Sequence, residues 1–512
     1  MSNVLLLLFS HALSLIVLIP IAGAVLISFL PSRESLCRTV SLIFSFLILF
    51  IVLLVIFLKL DFNLACFQLV ENYKWFGDTM RIKLATDGLS ISMVLLMAIL
   101  LPVTIIASRS VAQEKPRFYY SMLMLLSVAV FGVFLAEDLF LFFLFWELEL
   151  VPMYFLIAVW GGPNKDYAAM KFLIYTFSAG ICLFIGILLL FFVSGANTFD
   201  MEVLNTYAKA LPHGFQLACF ILFFLCFIIK LPSFPFHTWL PDAHVEAPTP
   251  VSMLLAGILL KMGGYGIYRL CVSFFPTILT ELALWIAVLG AVNIVGAAIA
   301  CLVQDDMKRI IAYSSVSHMG FVLLGVASLT QAGFSGGIFQ MFSHGLISAA
   351  LFMLVGTLYE RTHTRLISDY GGVAQFMPKC FYLFTLGSLA NLALPALSGF
   401  VGESLVFYGA FSSEFFKNFP TSFYFNFGQL CVLFSVLGVI LTASYMLWLV
   451  QRVFMGPKNT KLSGLCDLVP GELVVLGCLL SLVIVFGVYP ILLTNIYDVS
   501  SIGLLQNVIK PL

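Results

Sequence analysis

The stretch from 41 to 58, SLIFSFLILFIVLLVIFL, carries no charge, and the chain returns to runs of this kind from one end to the other. The hydrocarbon core of a bilayer is about 30 Å thick and needs about 20 apolar residues per helix. Inside it every backbone N–H and C=O must be paired, which a helix does unaided. The runs at 13–30, 37–58, 88–107, 117–135, 139–160, 168–193, 215–240, 249–272, 279–301, 309–327, 333–358, 378–410, 425–450 and 471–493 predict an all-α polytopic membrane protein of about 14 transmembrane helices. The opening stretch has no basic residue ahead of its apolar run, so it is expected to be a retained first helix and not a cleaved signal peptide.

Composition removes several classes of function. Hydrophobic residues make up 62% of 512 and charged ones 10%, a balance foreign to soluble globular chains. The formal net charge is zero, which argues against a nucleic-acid partner, since such domains carry a basic excess to neutralise phosphates. The 11 cysteines are scattered without a CxxC pair, and there is no P-loop and no GxGxxG after a strand. No metal, cluster or nucleotide cofactor is therefore expected in this chain. Most Lys and Arg, among them Arg33, Arg38, Arg109, Lys115, Arg117, Lys308, Arg309, Arg361, Arg365, Arg452, Lys458 and Lys461, fall in loops that follow odd-numbered spans. The positive-inside tendency then puts both termini on the non-cytoplasmic side.

Against this background the informative residues are ionisable ones at mid-membrane depth, each costing about 2.5–3.5 kcal/mol on insertion scales. Glu147 and Glu149 stand near the centre of the 139–160 run. Pro152 lacks an N–H, so the Leu148 carbonyl between them loses its helical partner and a polar or hydrated spot is expected there. At 100° per residue the two carboxylates point nearly opposite ways and cannot share one site. The competing reading is a pair of buried carboxylates bonded only for structure.

Lys230 lies in LFFLCFIIKLPSFPFHTWLPDAH (222–244), where the purely apolar part, 217–229, is too short to span. The segment must continue past Pro232 and Pro235, leaving Lys230 beside a broken helix and not snorkelling to the surface. Lys261 is central in its run, with Gly263, Gly264 and Gly266 beside it permitting close helix approach. His344 is also central, and His318 lies well inside its span between Ser and Gly; either suits a proton relay or a hydrogen-bonded packing role. Glu403 follows a second interruption at Pro395, Gly399 and Gly402. Two interrupted segments in corresponding halves, LPSF at 231 and LPAL at 394, point to a repeated transporter fold with its sites at the midplane. The series Glu, Lys, Lys, His, His, Glu needs no substrate pocket; a proton suffices.

WELELVPMYFLIAVWGG, KLPSFPFHTWLPDAHVEAPTPVSMLLAGILLKMGGYG, IAYSSVSHMGF, FSHGLISAALFMLVGTLYERTHTR and LPALSGFVGE resemble the antiporter-like membrane subunit of respiratory complex I, the NuoM/NdhD type, over most of the chain from about 70 to 455. The resemblance implies two five-helix repeats of inverted topology, each with a discontinuous helix. They would occupy 117–272 and 279–450, with breaks near Pro232 and Pro395, after an N-terminal three-helix segment (1–110) and before a C-terminal loop and last helix (451–512). It assigns Glu147, after Trp146, as the ion-pair acid and Lys230 as its partner. Lys261 becomes the central lysine, His318 and His344 relay histidines, and Glu403 the terminal acid, where related subunits carry lysine. Glu149 receives no role and is expected to face away from Lys230, toward a second helix or another subunit.

The implied function is proton translocation within a complex I-type NAD(P)H- or ferredoxin-quinone oxidoreductase, with NADH, FMN, iron–sulfur clusters and quinone held by partner subunits. Partners would be other membrane-arm subunits, including neighbouring antiporter-like ones, and lipids. In physical terms, Glu147 near Lys230 would hold the ammonium; separation would release the proton toward Lys261, then by water and His344 toward Glu403. The membrane would be the bacterial inner membrane, with a thylakoid-type membrane as the alternative. A subunit of an Mrp-type cation/proton antiporter, or of a related energy-converting hydrogenase, would use the same lysines. A structural scaffold would tolerate their neutralisation.

Overall fold

The computed structural model describes residues 10–509 apart from 78, 420–424, 458, 460, 461 and 463. Lys458 and Lys461, counted above among the loop cations, and both chain ends lie outside the described residues. In chain order the helices are α1 (Ala12–Phe29), α2 (Glu34–Leu58), α3 (Gly88–Ala107), α4 (Pro116–Leu135), α5 (Leu139–Leu148), α6 (Leu150–Trp160), α7 (Lys165–Ser194), α8 (Met201–Ala210), α9 (His213–Lys230) and α10 (Trp239–Glu246). There follow α11 (Thr249–Val272), α12 (Pro276–Leu302), α13 (Met307–Ala327), α14 (Gln331–Thr362), α15 (Pro378–Asn391), α16 (Ser398–Ser412), α17 (Glu414–Lys417), α18 (Phe427–Phe454), α19 (Pro470–Val488) and α20 (Ile491–Ile509).

Among the described residues 13 helices are long and apolar enough to cross a membrane, α5 and α6 counting as one. They match thirteen of the expected runs. The fourteenth, 378–410, is two shorter helices, α15 and α16, separated at 392–397, where Ala393 (φ 59°) and Ala396 (φ 75°) take left-handed backbone angles. The run 215–240 likewise ends as a helix at Lys230 and resumes at Trp239. Both interruptions fall at the Leu-Pro sequences, where the chain loses a donor and the residue before proline leaves the helical region.

The chain divides into two compact units. The first comprises 1–231, 258–282 and 495–512. Here α1 packs on α4, α2 on α3, and α7 on both α6 and α9. This unit also holds a hairpin that the sequence did not announce, β1 (Gln68–Phe76) antiparallel to β2 (Met80–Thr86). Its long-range anchors explain why local pattern missed it. Glu71 accepts hydrogen bonds from the Leu13 and Ser14 amides at 2.8 and 3.1 Å, capping α1, while the Glu137 amide donates to the Lys83 carbonyl at 2.9 Å. The α20 helix is a further element beyond the expected runs.

The second unit comprises 232–257 and 283–494. At its centre α14 packs against α13, α16 and α19. Lys261, His318 and His344 stand on α11, α13 and α14, three of the most thoroughly buried helices of the chain, whereas α1, α2, α18 and α19 leave most of their surface uncovered.

One junction occurs in both units. In the first, Asp138 caps α5, the Leu139 amide donates to the Phe199 carbonyl (2.8 Å), and the Met201 amide donates to the Glu137 carbonyl (3.1 Å). In the second, Asp306 caps α13, the Met307 amide donates to the Arg365 carbonyl (3.1 Å), and the Ile367 amide donates to the Asp305 carbonyl (2.9 Å). Each places an acidic residue immediately before a capping Asp.

Candidate proton-transfer site

The helix carrying WELEL is interrupted at Glu149, three residues before Pro152, where the sequence placed a loss of hydrogen bonding. The two glutamates diverge as expected, but their partners are exchanged relative to expectation. Glu149, wholly buried, forms the ion pair with Lys230: the Nζ lies 2.6 Å from Oε1 and 2.5 Å from Oε2. Glu147, the expected partner, turns toward α7, where its Oε1 occupies the space a Cβ on Gly180 would fill. The physical reason is rotational. Two residues along an α-helix is more than half a turn, so only one of the pair can meet α9, and the turn at Glu149 aims that residue at it.

The pair is enclosed by rings. The Lys230 ammonium sits 5.9 Å from the Trp146 ring centre and 5.6 Å from that of Phe172, so cation–π attraction adds to the carboxylate. Lys230 is also the last residue of α9, where the helix dipole favours a cation. Trp146 was visible in the sequence only as a motif letter; its contact with the lysine needs the fold. Gly263 on α11 approaches the end of α9 so closely that a Cβ would stand 2.7 Å from the Leu231 amide nitrogen and the Phe227 carbonyl. Lys261, two residues before it, is completely buried.

In the second unit the structure brings together three of the expected residues and two that sequence reasoning missed. His318 Nδ1 lies 3.0 Å from Glu403 Oε1 and 3.3 Å from Gln340 Nε2, and its Nε2 lies 3.1 Å from Asn391 Oδ1. The His344 ring centre is 5.4 Å from that of His318. Glu403 stands in the second turn of α16 and Asn391 at the end of α15, so the break supplies both flanks of the histidine. The imidazole has a carboxylate on one nitrogen and an amide oxygen on the other. At the other break, Asn293 of α12 accepts from the Phe234 amide (2.7 Å) and donates to Ser233 Oγ (2.5 Å), tying down the interrupted backbone. Asn293, Gln340 and Asn391 carry no charge, and an uncharged amide in an apolar run gave no signal that could single it out.

Residues 136–446 match the family described as NADH:quinone oxidoreductase/Mrp antiporter, TM. The chain belongs to that family. An NAD(P)H-quinone oxidoreductase chain 4 of Synechococcus sp. (strain JA-3-3Ab) is 47% identical over 447 residues, 86% of this chain and 82% of the relative. The chain 4 protein of Acaryochloris marina is 42% identical, over 96% and 91% of the two chains. Among solved structures, a chain of respiratory complex I from Thermus thermophilus with bound NADH superposes with a TM-score of 0.85 at 26% identity, covering 97% of this chain and 99% of that one. A chain of the Mrp complex from Dietzia sp. DQ12-45-1b gives the same TM-score at 19% identity, over 98% and 99%, a likeness of fold. For a member of this family, the Lys230–Glu149 and His318–Glu403 pairs are the buried ionisable contacts formed at the two breaks.

Proposed function

We propose that this chain translocates protons as a membrane-arm subunit of a complex I-type NAD(P)H-quinone oxidoreductase. The observation that carries the reading is the buried Lys230–Glu149 pair at the end of an interrupted helix. A carboxylate facing a buried lysine stabilises its ammonium. With Glu149 engaged, Lys230 is held as ammonium. When Glu149 withdraws, the Lys230 charge is left without its partner and the proton passes on, with Lys261 as the next acceptor on the neighbouring helix. In the second unit the His318–Glu403 contact, with His344 beside it, passes a proton between ring and carboxylate.

The proposed roles are thus Glu149 and Lys230 as the switch, Glu147 as a second acid facing α7, Lys261 as central carrier, and His318, His344 and Glu403 as the outgoing relay. The drive comes from redox chemistry in partner subunits that hold NADH, FMN, clusters and quinone. The recurring capped junction supports two structural repeats over 117–272 and 279–450. We place the chain in a bacterial inner membrane, or a thylakoid-type one, with both termini on the non-cytoplasmic side. The test is Lys230→Ala in the assembled complex: electron transfer should continue with proton pumping lost, and full pumping would overturn the reading. A second reading, an Mrp-type antiporter subunit, is favoured by the equal fit to the Dietzia chain. It predicts sodium-dependent proton exchange without a redox partner.

A further inference from the structure

A second set of ionisable groups lies at the end of the first unit that carries the hairpin, and the switch described above does not use it. Along α11, Tyr265 and Arg269 follow Lys261 at four-residue intervals toward this end. Arg269 Nε donates to the Tyr265 hydroxyl (3.2 Å), which donates to the Phe134 carbonyl (3.1 Å). Arg269 is paired with Asp87 at 2.6 Å. Lys83 of β2 is paired with Asp200 at 2.8 Å and Glu202 at 2.9 Å. Both cations are therefore taken. Glu137, 2% exposed, lies in the electrostatic reach of Arg269, Lys83, Glu202 and Asp87, yet among the described residues no ion pair claims it. Asp138 beside it is spent on the α5 cap, accepting from the Phe140 and Leu141 amides at 3.0 Å.

The recurring junction supplies the control. Asp305 stands at the same backbone position in the second unit and is exposed to solvent. The acid of the first unit is buried because β2 runs over it, bridging Leu84 to Ala136 and taking the Glu137 amide on the Lys83 carbonyl. A carboxyl sealed in this way, with its neighbouring cations committed elsewhere, is a group that takes a proton and gives it up. From it the charged series continues outward to Glu202, whose side chain is 59% exposed.

We infer that Glu137 is a proton-exchange site of the first unit, passing protons between Lys261 of α11 and the surface carboxylates Asp200 and Glu202, with Tyr265 and Arg269 holding fixed positions on the same helix. This rests on the proton-translocation reading above. In the exchange, the Lys261 ammonium gives up a proton and becomes a neutral amine, the proton neutralises the Glu137 carboxylate, and its departure to the Asp200–Glu202 surface restores that carboxylate; Arg269 and Tyr265 keep their own protons, no electron moves and no co-reactant is needed. Burial, opposed by Arg269 and Lys83, pushes the Glu137 carboxyl up to about 8, so the group changes charge in a range where a carrier can both load and unload.

The experiment uses the intact complex in vesicles with Glu137→Gln, Glu137→Asp, Asp305→Asn and Lys261→Ala. Glu137→Gln should lower the pumping rate at least about tenfold and flatten its pH dependence between about 7 and 9, with Glu137→Asp restoring part of both and Asp305→Asn leaving both unchanged. Infrared titration of the wild-type complex should show a buried protonated carboxyl lost near pH 8, shifted in Glu137→Asp. The inference is overturned if Glu137→Gln pumps normally while Lys261→Ala does not, or if the infrared band is absent. If Lys261→Ala and Glu137→Gln both pump normally, the translocation reading itself fails.

Discussion

Glu149 and Glu147 are separated by one residue and by most of their chemistry. Removing the Glu149 charge leaves an ammonium buried without its partner, a change that costs about 3–5 kcal/mol in comparable pairs. Glu149→Gln should therefore cut pumping at least about tenfold and lower the thermal stability of the solubilised complex, while Glu147→Gln acts more weakly; equal losses would refute the exchanged partnership. Gly180→Ala provides a matching test of Glu147, because the added methyl would stand 1.6 Å from Oε1 and force the carboxylate away. Its pumping should resemble that of Glu147→Gln. The buried Glu137 also makes a statement about stability. Its carboxyl is raised to about 8 in the folded protein, so the folded state keeps a proton that the unfolded chain, titrating near 4.5, has released. Stability should fall as pH rises from about 4.5 to about 8, and melting of the Glu137→Gln complex should lose that part of the slope.

The two breaks show how elements convert sequence punctuation into geometry. Leu-Pro stops both helices, but what holds the gaps differs. The first is fastened by Asn293 to Ser233 and Phe234. The second depends on Ala393 and Ala396 at left-handed angles, which cost an L-residue about 1–2 kcal/mol each. Ala396→Gly should relieve that strain, and Ala396→Val, whose branched side chain tolerates such angles poorly, should destabilise by more than about 1 kcal/mol. Differential melting of the two variants checks it; equal melting temperatures would exclude strain at this position. Prolines and interrupted apolar runs made both gaps visible in advance. Asn293, Asn391 and Gln340 were not, since an amide's role depends on which backbone or ring it meets across the fold.

At the scale of the whole molecule, orientation can be tested with residues the chain already has. Cys66 precedes the hairpin and Cys466 lies between α18 and α19, and both are exposed. Termini on the non-cytoplasmic side put Cys66 on that side and Cys466 on the other. An impermeant maleimide added to right-side-out vesicles should label Cys66 and spare Cys466; the reverse pattern would invert the topology. The apolar runs by themselves determined that this is a helical membrane protein, nearly how many helices it has and where two of them break, because burying backbone in lipid leaves so few alternatives. Lys230, Lys261, His318, His344 and Glu403, expected at mid-depth from the same runs, are all buried. Tertiary structure alone decided that Glu149 and not Glu147 meets Lys230, that a hairpin seals Glu137 while Asp305 stays in water, and that Asn391 and Gln340 flank His318. Spacing along a helix tells which residues share a face, but only packing tells what that face meets.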